Sequence, residues 1–128
     1  MKRVFFTFLI GSLIAFFANN AAMANTDHVA LIKECHDMCT KNLASFEQKG
    51  GKYADPARLN LMRDCAKICE LNADFISRKS AYADDTSKLC AQICNDCAKK
   101  CEELKDNSLK DCIALCRECA TACSHHAN

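Results

Sequence analysis

The sequence predicts an all-α fold, an antiparallel up-down-up-down four-helix bundle with a cysteine-lined core. Three observations lead there. Cysteines recur three or four residues apart in four separate segments, the interval that returns a side chain to the same face of a helix. Short stretches with helix stop and start signals separate the segments, and short connections make neighbouring helices antiparallel. No alternating pattern persists long enough to indicate a strand.

The start of the chain reads differently. MKRVFFTFLIGSLIAFFANNAAMA opens on Lys2-Arg3, continues as an apolar run from Val4 to Phe17 and closes on Ala22-Met23-Ala24. A basic head, an apolar run and a small-residue cleavage site make a secretory signal peptide. Gly11 and Ser12 break the run and Asn19-Asn20 end it, short of the roughly 20 apolar residues a membrane span needs. The head has no twin arginine, which points to export as an unfolded chain. Residues 1–24 are therefore read as the signal peptide and residues 25–128 as one bundle domain. The expected destination is the bacterial periplasm, with no membrane association after cleavage. Cleavage removes Lys2 and Arg3 from the 17 basic residues, so that 15 face 16 acidic ones. That balance, with no basic patch of interleaved aromatics, argues against nucleic acid as a partner.

The first bundle helix is expected from Asp27 to Lys49, with Thr26 as N-cap and Gly50-Gly51 as its stop. The second opens on Asp55-Pro56, a cap followed by proline at the first helical position, and runs to about Lys79. The third is expected from Asp85 to about Asn107. The fourth starts at Ser108-Leu-Lys-Asp111, a pattern like a capping box with Asp in place of Glu, and ends near His125.

The cysteines then fall into phase. At 100° per residue Cys90, Cys94, Cys97 and Cys101 lie within about 60° of one another, and Cys112, Cys116, Cys119 and Cys123 repeat that C-x3-C-x2-C-x3-C spacing. On the first helix Cys35 and Cys39 share a face with His28, Leu31, Asn42 and Phe46. On the second, Cys65 and Cys69 share a face with Leu61, Met62, Asn72 and Ile76. Ile93, Leu104, Leu109 and Leu115 flank the stripes of the last two helices. Cysteine stands where a bundle normally has Leu or Ile. A free thiol packs as a small hydrophobe, so the metal-free bundle can form, but it buries less apolar area than a leucine core of equal length.

An exported, cysteine-rich chain ordinarily implies a disulfide scaffold. Here two cysteines one turn apart have Cβ atoms about 6 Å apart, whereas a disulfide needs about 3.8 Å. Bridges would have to run between helices, and four thiols on one stripe exceed what such hairpins use. The other use of so many thiols is metal. Soft thiolates select Cu(I), Zn(II) or iron–sulfur clusters. Zn(II) requires four tetrahedral ligands, so that helices must converge on each ion. The ferredoxin order of cysteines and its proline are missing. Cu(I) accepts two sulfurs almost in line, so a single C-x3-C pair nearly suffices. One Cu(I) with two thiolates carries a negative charge that is costly in a dry interior. If each thiolate bridges two ions the charge cancels, which gives roughly 10–12 Cu(I) per chain from the thiol count and soft-ligand preference.

With Cys35-x3-Cys39, Cys65-x3-Cys69 and the doubled motifs Cys90–Cys101 and Cys112–Cys123, the whole chain after the signal resembles the four-helix-bundle copper storage proteins of bacteria. The resemblance implies Cu(I) storage on all twelve cysteines, admission of copper at one end of the bundle and a homotetramer. Exported members of that family are associated with supplying copper to an enzyme, which implies a copper-requiring client protein. Some travel folded behind a twin-arginine signal, a feature this chain lacks.

Residues at the ends of the bundle are candidates for admitting copper or forming a terminal site. The start of the first helix and the end of the fourth lie at one end, and by phase His28 and His126 follow the cysteine stripe while His125 points away. Met62, one turn before Cys65, offers a soft thioether at the opposite end. Met38 at the stripe's edge reads as gap-filling, and His36, about 100° from Cys35, as a surface or interface residue. Tyr53, Phe75 and Tyr82 near helix ends read as caps of the bundle. No nucleophile–histidine–acid set and no phosphate-binding glycine loop stand out, so the chain is not read as an enzyme. Two alternatives to storage stay open: a periplasmic copper chaperone or detoxification protein using the same residues, and a disulfide-stapled helical interaction module.

Overall fold

A computed structural model describes the backbone of residues 14–127 and the side chains of residues 26–127. Helix α1 spans Ile14–Lys49, α2 Pro56–Ser77, α3 Ala83–Glu102 and α4 Lys110–His126, with 3-10 turns at Gly51–Ala54 and Asn107–Leu109. The described residues form no strand. Each helix packs on its neighbours in sequence, and α4 closes the ring against α1. This is the four-helix bundle with a cysteine-lined core: all twelve cysteines are buried. None of the described helices is long and apolar enough to cross a membrane. Residues 1–13, with the basic head of the expected signal peptide, lie outside the described residues.

Helix boundaries follow local chemistry, with three corrections. Helix α1 begins at Ile14, so Thr26 lies inside it and is not its N-cap; the residues before Thr26 include Ala21, Ala22, Met23 and Ala24, which are strong helix formers. Helix α3 stops at Glu102, five residues before Asn107, because Lys105 turns to a positive φ of 50°. Helix α4 does not use the box at Ser108. Asp106 caps the preceding 3-10 turn instead: its carboxylate accepts from the Ser108 backbone N–H at 2.9 Å and from the Ser108 hydroxyl at 2.7 Å. The other signals act as read. Gly50 and Gly51 take φ of 66° and 55°, and the Gly50 N–H returns to the Phe46 carbonyl at 3.1 Å. The Asp55 carboxylate accepts from the Arg58 N–H at 3.1 Å, a cap contributing about 1 kcal/mol.

Apolar residues gather where the cysteines run out. At the end with the α1–α2 and α3–α4 connections, Phe46, Met62, Leu104 and Leu109 are buried, and the Phe46 ring lies 5.3 Å from that of Tyr53. Arg58, although charged, is also buried there. Its guanidinium donates to the Lys100 carbonyl at 3.3 Å and to the Lys52 carbonyl, and pairs with Glu103 at 3.7 Å. Both connections are thereby tied to the start of α2. One expected core position is displaced by one residue, with Ile32 fully buried in place of Leu31; Leu61 is also only half-buried, whereas Ile68 is buried. Neighbouring helices wrap one flank of each stripe, so that flank buries as well.

One latch between the two connections predicts a pH dependence. The Tyr53 hydroxyl donates to the Asp106 carboxylate at 2.7 Å. That bond, with the two from Ser108, lowers the Asp106 pKa from 3.8 to about 2. A carboxylate whose folded pKa is depressed contributes stability above its unfolded value, and that stability is lost as pH falls through the folded value. In Tyr53→Phe the Asp106 pKa is expected to rise toward the ordinary range, as read by carboxyl NMR titration. An Asp106 that titrates identically in both proteins contradicts the latch.

Candidate metal centre

The inner stripe of each helix delivers its thiols to the bundle axis, where they form a continuous column of sulfur. At the end shared by the α1 start, the α2–α3 connection and the α4 terminus, Cys123 Sγ lies 3.0 Å from Cys90 Sγ. Cys90 leads to Cys94 at 3.8 Å and Cys69 at 3.9 Å. Cys69, Cys94 and Cys119 stand 3.7–3.9 Å from one another. Cys65 continues the column 3.7 Å from Cys94, and Cys39 lies 3.5 Å from Cys65. Cys35 joins Cys116 at 4.0 Å. Cys97, Cys101 and Cys112 are buried on the same stripes toward the apolar end. Every cysteine singled out by phase is therefore in the column.

Three groups of sulfurs lie within 4.8 Å of one another: Cys35, Cys69, Cys94 and Cys119; Cys35, Cys39, Cys65 and Cys116; and Cys90, Cys119 and Cys123. All twelve cysteines are free thiols. In the metal-free column protons sit unevenly. The Cys112 thiol is pushed up to about 12 by its hydrogen bond to Cys101 and by burial. Cys97 is drawn down to about 6, first by its hydrogen bond with Cys101. A metal that takes these sulfurs as thiolates must displace the protons.

The column has a polar end that sequence phase did not reveal. Asn72 is fully buried. Its Oδ1 accepts from the Thr86 hydroxyl at 2.8 Å and the Ser87 hydroxyl at 3.0 Å, which leaves Nδ2 to donate to Cys123 Sγ at 3.4 Å. Two hydroxyl donors on one oxygen fix which way the amide faces. Asn72 was visible on the cysteine face, but its partners lie on α3, and only the packing of α2 against α3 assembles the group.

The histidines lie outside the sulfur column. His28 is half-buried, and its Nδ1 is enclosed with no hydrogen-bond partner among the described residues. It lines a groove of ≈ 400 Å³ between α1 and α4 with Leu31, Glu118, Thr121 and His125 among its walls. His125, expected to point away from the cysteine stripe, is exposed and borders this groove, and His126 is half-buried outside its lining. Glu118, Thr121 and His125 form a helical row one residue off the cysteine stripe and stay exposed along the groove. His36 is tied down on the flank, its Nδ1–H donating to the Ala66 carbonyl at 2.8 Å. Met62 is buried at the apolar end and Met38 packs against the core from the surface.

Comparison with known proteins places this architecture. The chain resembles the Nmul_A1745 protein of Nitrosospira multiformis, with 28% identity over 83% of this chain and 96% of that one and a TM-score of 0.77. It also resembles the Cu(I)-bound copper storage protein BsCsp3, with 22% identity over 82% and 99% and a TM-score of 0.76. The metal-free copper storage protein 3 of Bacillus subtilis matches at 22% identity over 80% and 98%, with a TM-score of 0.72. No curated protein matches the chain. The family described as copper storage protein matches residues 20–128, the whole bundle, and the chain belongs to that family.

Proposed function

We propose that the protein stores Cu(I) as a multinuclear core in which all twelve cysteines serve as thiolate ligands. The observation that carries this is the unbroken run of buried, unpaired thiols along the bundle axis. Cu(I) takes soft sulfur ligands in low coordination numbers. Neighbouring sulfurs at 3.5–4.0 Å allow one thiolate to bridge two ions. Bridging lets charge cancel ion by ion, which a dry interior requires. On this reading the capacity is roughly 10–12 Cu(I) per chain, from the thiol count. Loading releases protons and stiffens the bundle, since metal binding couples to folding.

Copper is admitted at the histidine end. The opposite end is filled by Phe46, Met62, Leu104 and Leu109, so Met62 acts as packing there. His28 offers an unpartnered Nδ1 beside the start of the column, and the histidines at the end of α4 lie at the same end of the bundle. Residues 1–24 direct export to the periplasm and are removed, which leaves residues 25–128 as the storage domain. The basic head, interrupted apolar run and Ala22-Met23-Ala24 support this. Copper held in this way is available to a copper-requiring client, in keeping with a storage role rather than a catalytic one. The family resemblance further suggests a homotetramer.

Two measurements test the reading. In an anaerobic titration of the reduced protein against a chromogenic cuprous chelator, the break is expected near one copper per cysteine. A break at one or two ions points instead to a chaperone, and no uptake contradicts a copper role. In stopped-flow loading, His28→Ala combined with His126→Ala is expected to slow uptake several-fold at unchanged capacity, whereas Met62→Leu is not. Equal rates in all three proteins place the port elsewhere.

A further inference from the structure

The copper reading treats all twelve thiols as one cargo hold, yet four of them are set apart by geometry. Cys35 comes from α1, Cys69 from α2, Cys94 from α3 and Cys119 from α4, and their sulfurs lie within 4.8 Å of one another. One helix gives one ligand. The three edges Cys69–Cys94, Cys69–Cys119 and Cys94–Cys119 measure 3.7, 3.9 and 3.7 Å. A tetrahedron of sulfurs around Zn(II), with Zn–S of about 2.3 Å, has edges of about 3.8 Å. For any metal–sulfur bond length, a linear pair sits two bond lengths apart, longer than the tetrahedral edge. Three of the four sulfurs thus already stand at the tetrahedral spacing, with Cys35 Sγ within 4.8 Å of each, while two-coordinate filling requires thiols to rotate apart.

We infer that Cys35, Cys69, Cys94 and Cys119 form a preorganised tetrahedral site for one divalent thiophilic ion of the Zn(II) type. Such an ion occupies the bundle before copper and ties the four helices together through its centre. The second four-sulfur group is the weaker candidate. It draws on three helices only, its known edges of 3.5 and 4.0 Å are uneven, and it shares Cys35 with the first.

Charge opposes the site, because a divalent ion with four thiolates leaves two negative charges in a buried place. The surroundings answer part of that cost. Cys90 lies 3.9 Å from Cys69 and 3.8 Å from Cys94, Cys65 lies 3.7 Å from Cys94, and Cys116 lies 4.0 Å from Cys35. Left protonated, these neighbours donate S–H bonds to the metal-bound thiolates. Binding is written as one M(II) displacing four thiol protons, with no change in oxidation state. Cu(I) arriving later takes over the same thiolates by ligand exchange and releases the divalent ion.

The inference stands on the metal-free geometry and not on the copper reading, and one set of samples separates the two. Reduced, metal-free protein is titrated anaerobically with cadmium chloride as the probe, following thiolate-to-metal charge transfer and the cadmium NMR signal. The expected result is one tight equivalent per chain, with a resonance in the all-sulfur range. It is lost in Cys94→Ser and in Cys119→Ser, and kept in Cys112→Ser, whose sulfur belongs to none of the clustered groups. Absence of a tight equivalent, a resonance from nitrogen or oxygen ligands, or unchanged binding in Cys94→Ser overturns the inference. Because the wild-type resonance reports the ligand set directly, a variant that fails to fold, as seen by circular dichroism, leaves the test decisive. Copper capacity measured on the same wild-type sample scores the storage reading independently.

Discussion

The structure depends on one substitution of materials: the inner stripe of each helix is sulfur where an ordinary bundle has branched hydrocarbon. A thiol is small enough to pack and soft enough to bind metal, so the same side chains hold the helices together when empty and take the cargo when filled. The helices must therefore run in phase along their full length. A single slip would turn Cys90 or Cys112 outward and break the column at its next contact. The repeated spacing of three and four residues keeps eight thiols on axis across α3 and α4.

A sulfur core is weak as a hydrophobic core, and the rest of the molecule compensates at the ends. Phe46 and the leucines on either side of the α3–α4 connection close one end. Arg58 spends its hydrogen bonds there on backbone carbonyls of the α1–α2 connection and of the last turn of α3. The other end is closed by polar contacts, with Asn72 held between two hydroxyls and the last sulfur pair. One end is thus dry and fixed, while the other joins hydrogen-bonded groups and histidines. This asymmetry gives the column a direction.

Much of this was legible in the sequence. Phase alone placed all twelve cysteines on the axis, because three- and four-residue spacing has one helical meaning and no competing strand pattern existed. The Asp55-Pro56 start and the Gly50-Gly51 stop were readable because each is a local device. What escaped was non-local. Ser108 and Asp111 looked like a cap, but Asp106, two residues earlier, satisfies the turn. Asn72 looked like one more inward residue, and its partners on α3 could not be inferred from α2. The four-sulfur group likewise arises from the relative height of four helices, which no spacing within one helix encodes.

The central claim is that the thiols act together as bridging ligands rather than as separate sites. X-ray absorption at the copper edge of the fully loaded protein tests this most directly. The account predicts a first shell of sulfur alone and a clear copper–copper contribution from ions sharing thiolates. A shell containing nitrogen or oxygen, or the absence of any copper–copper contribution at full loading, would contradict it.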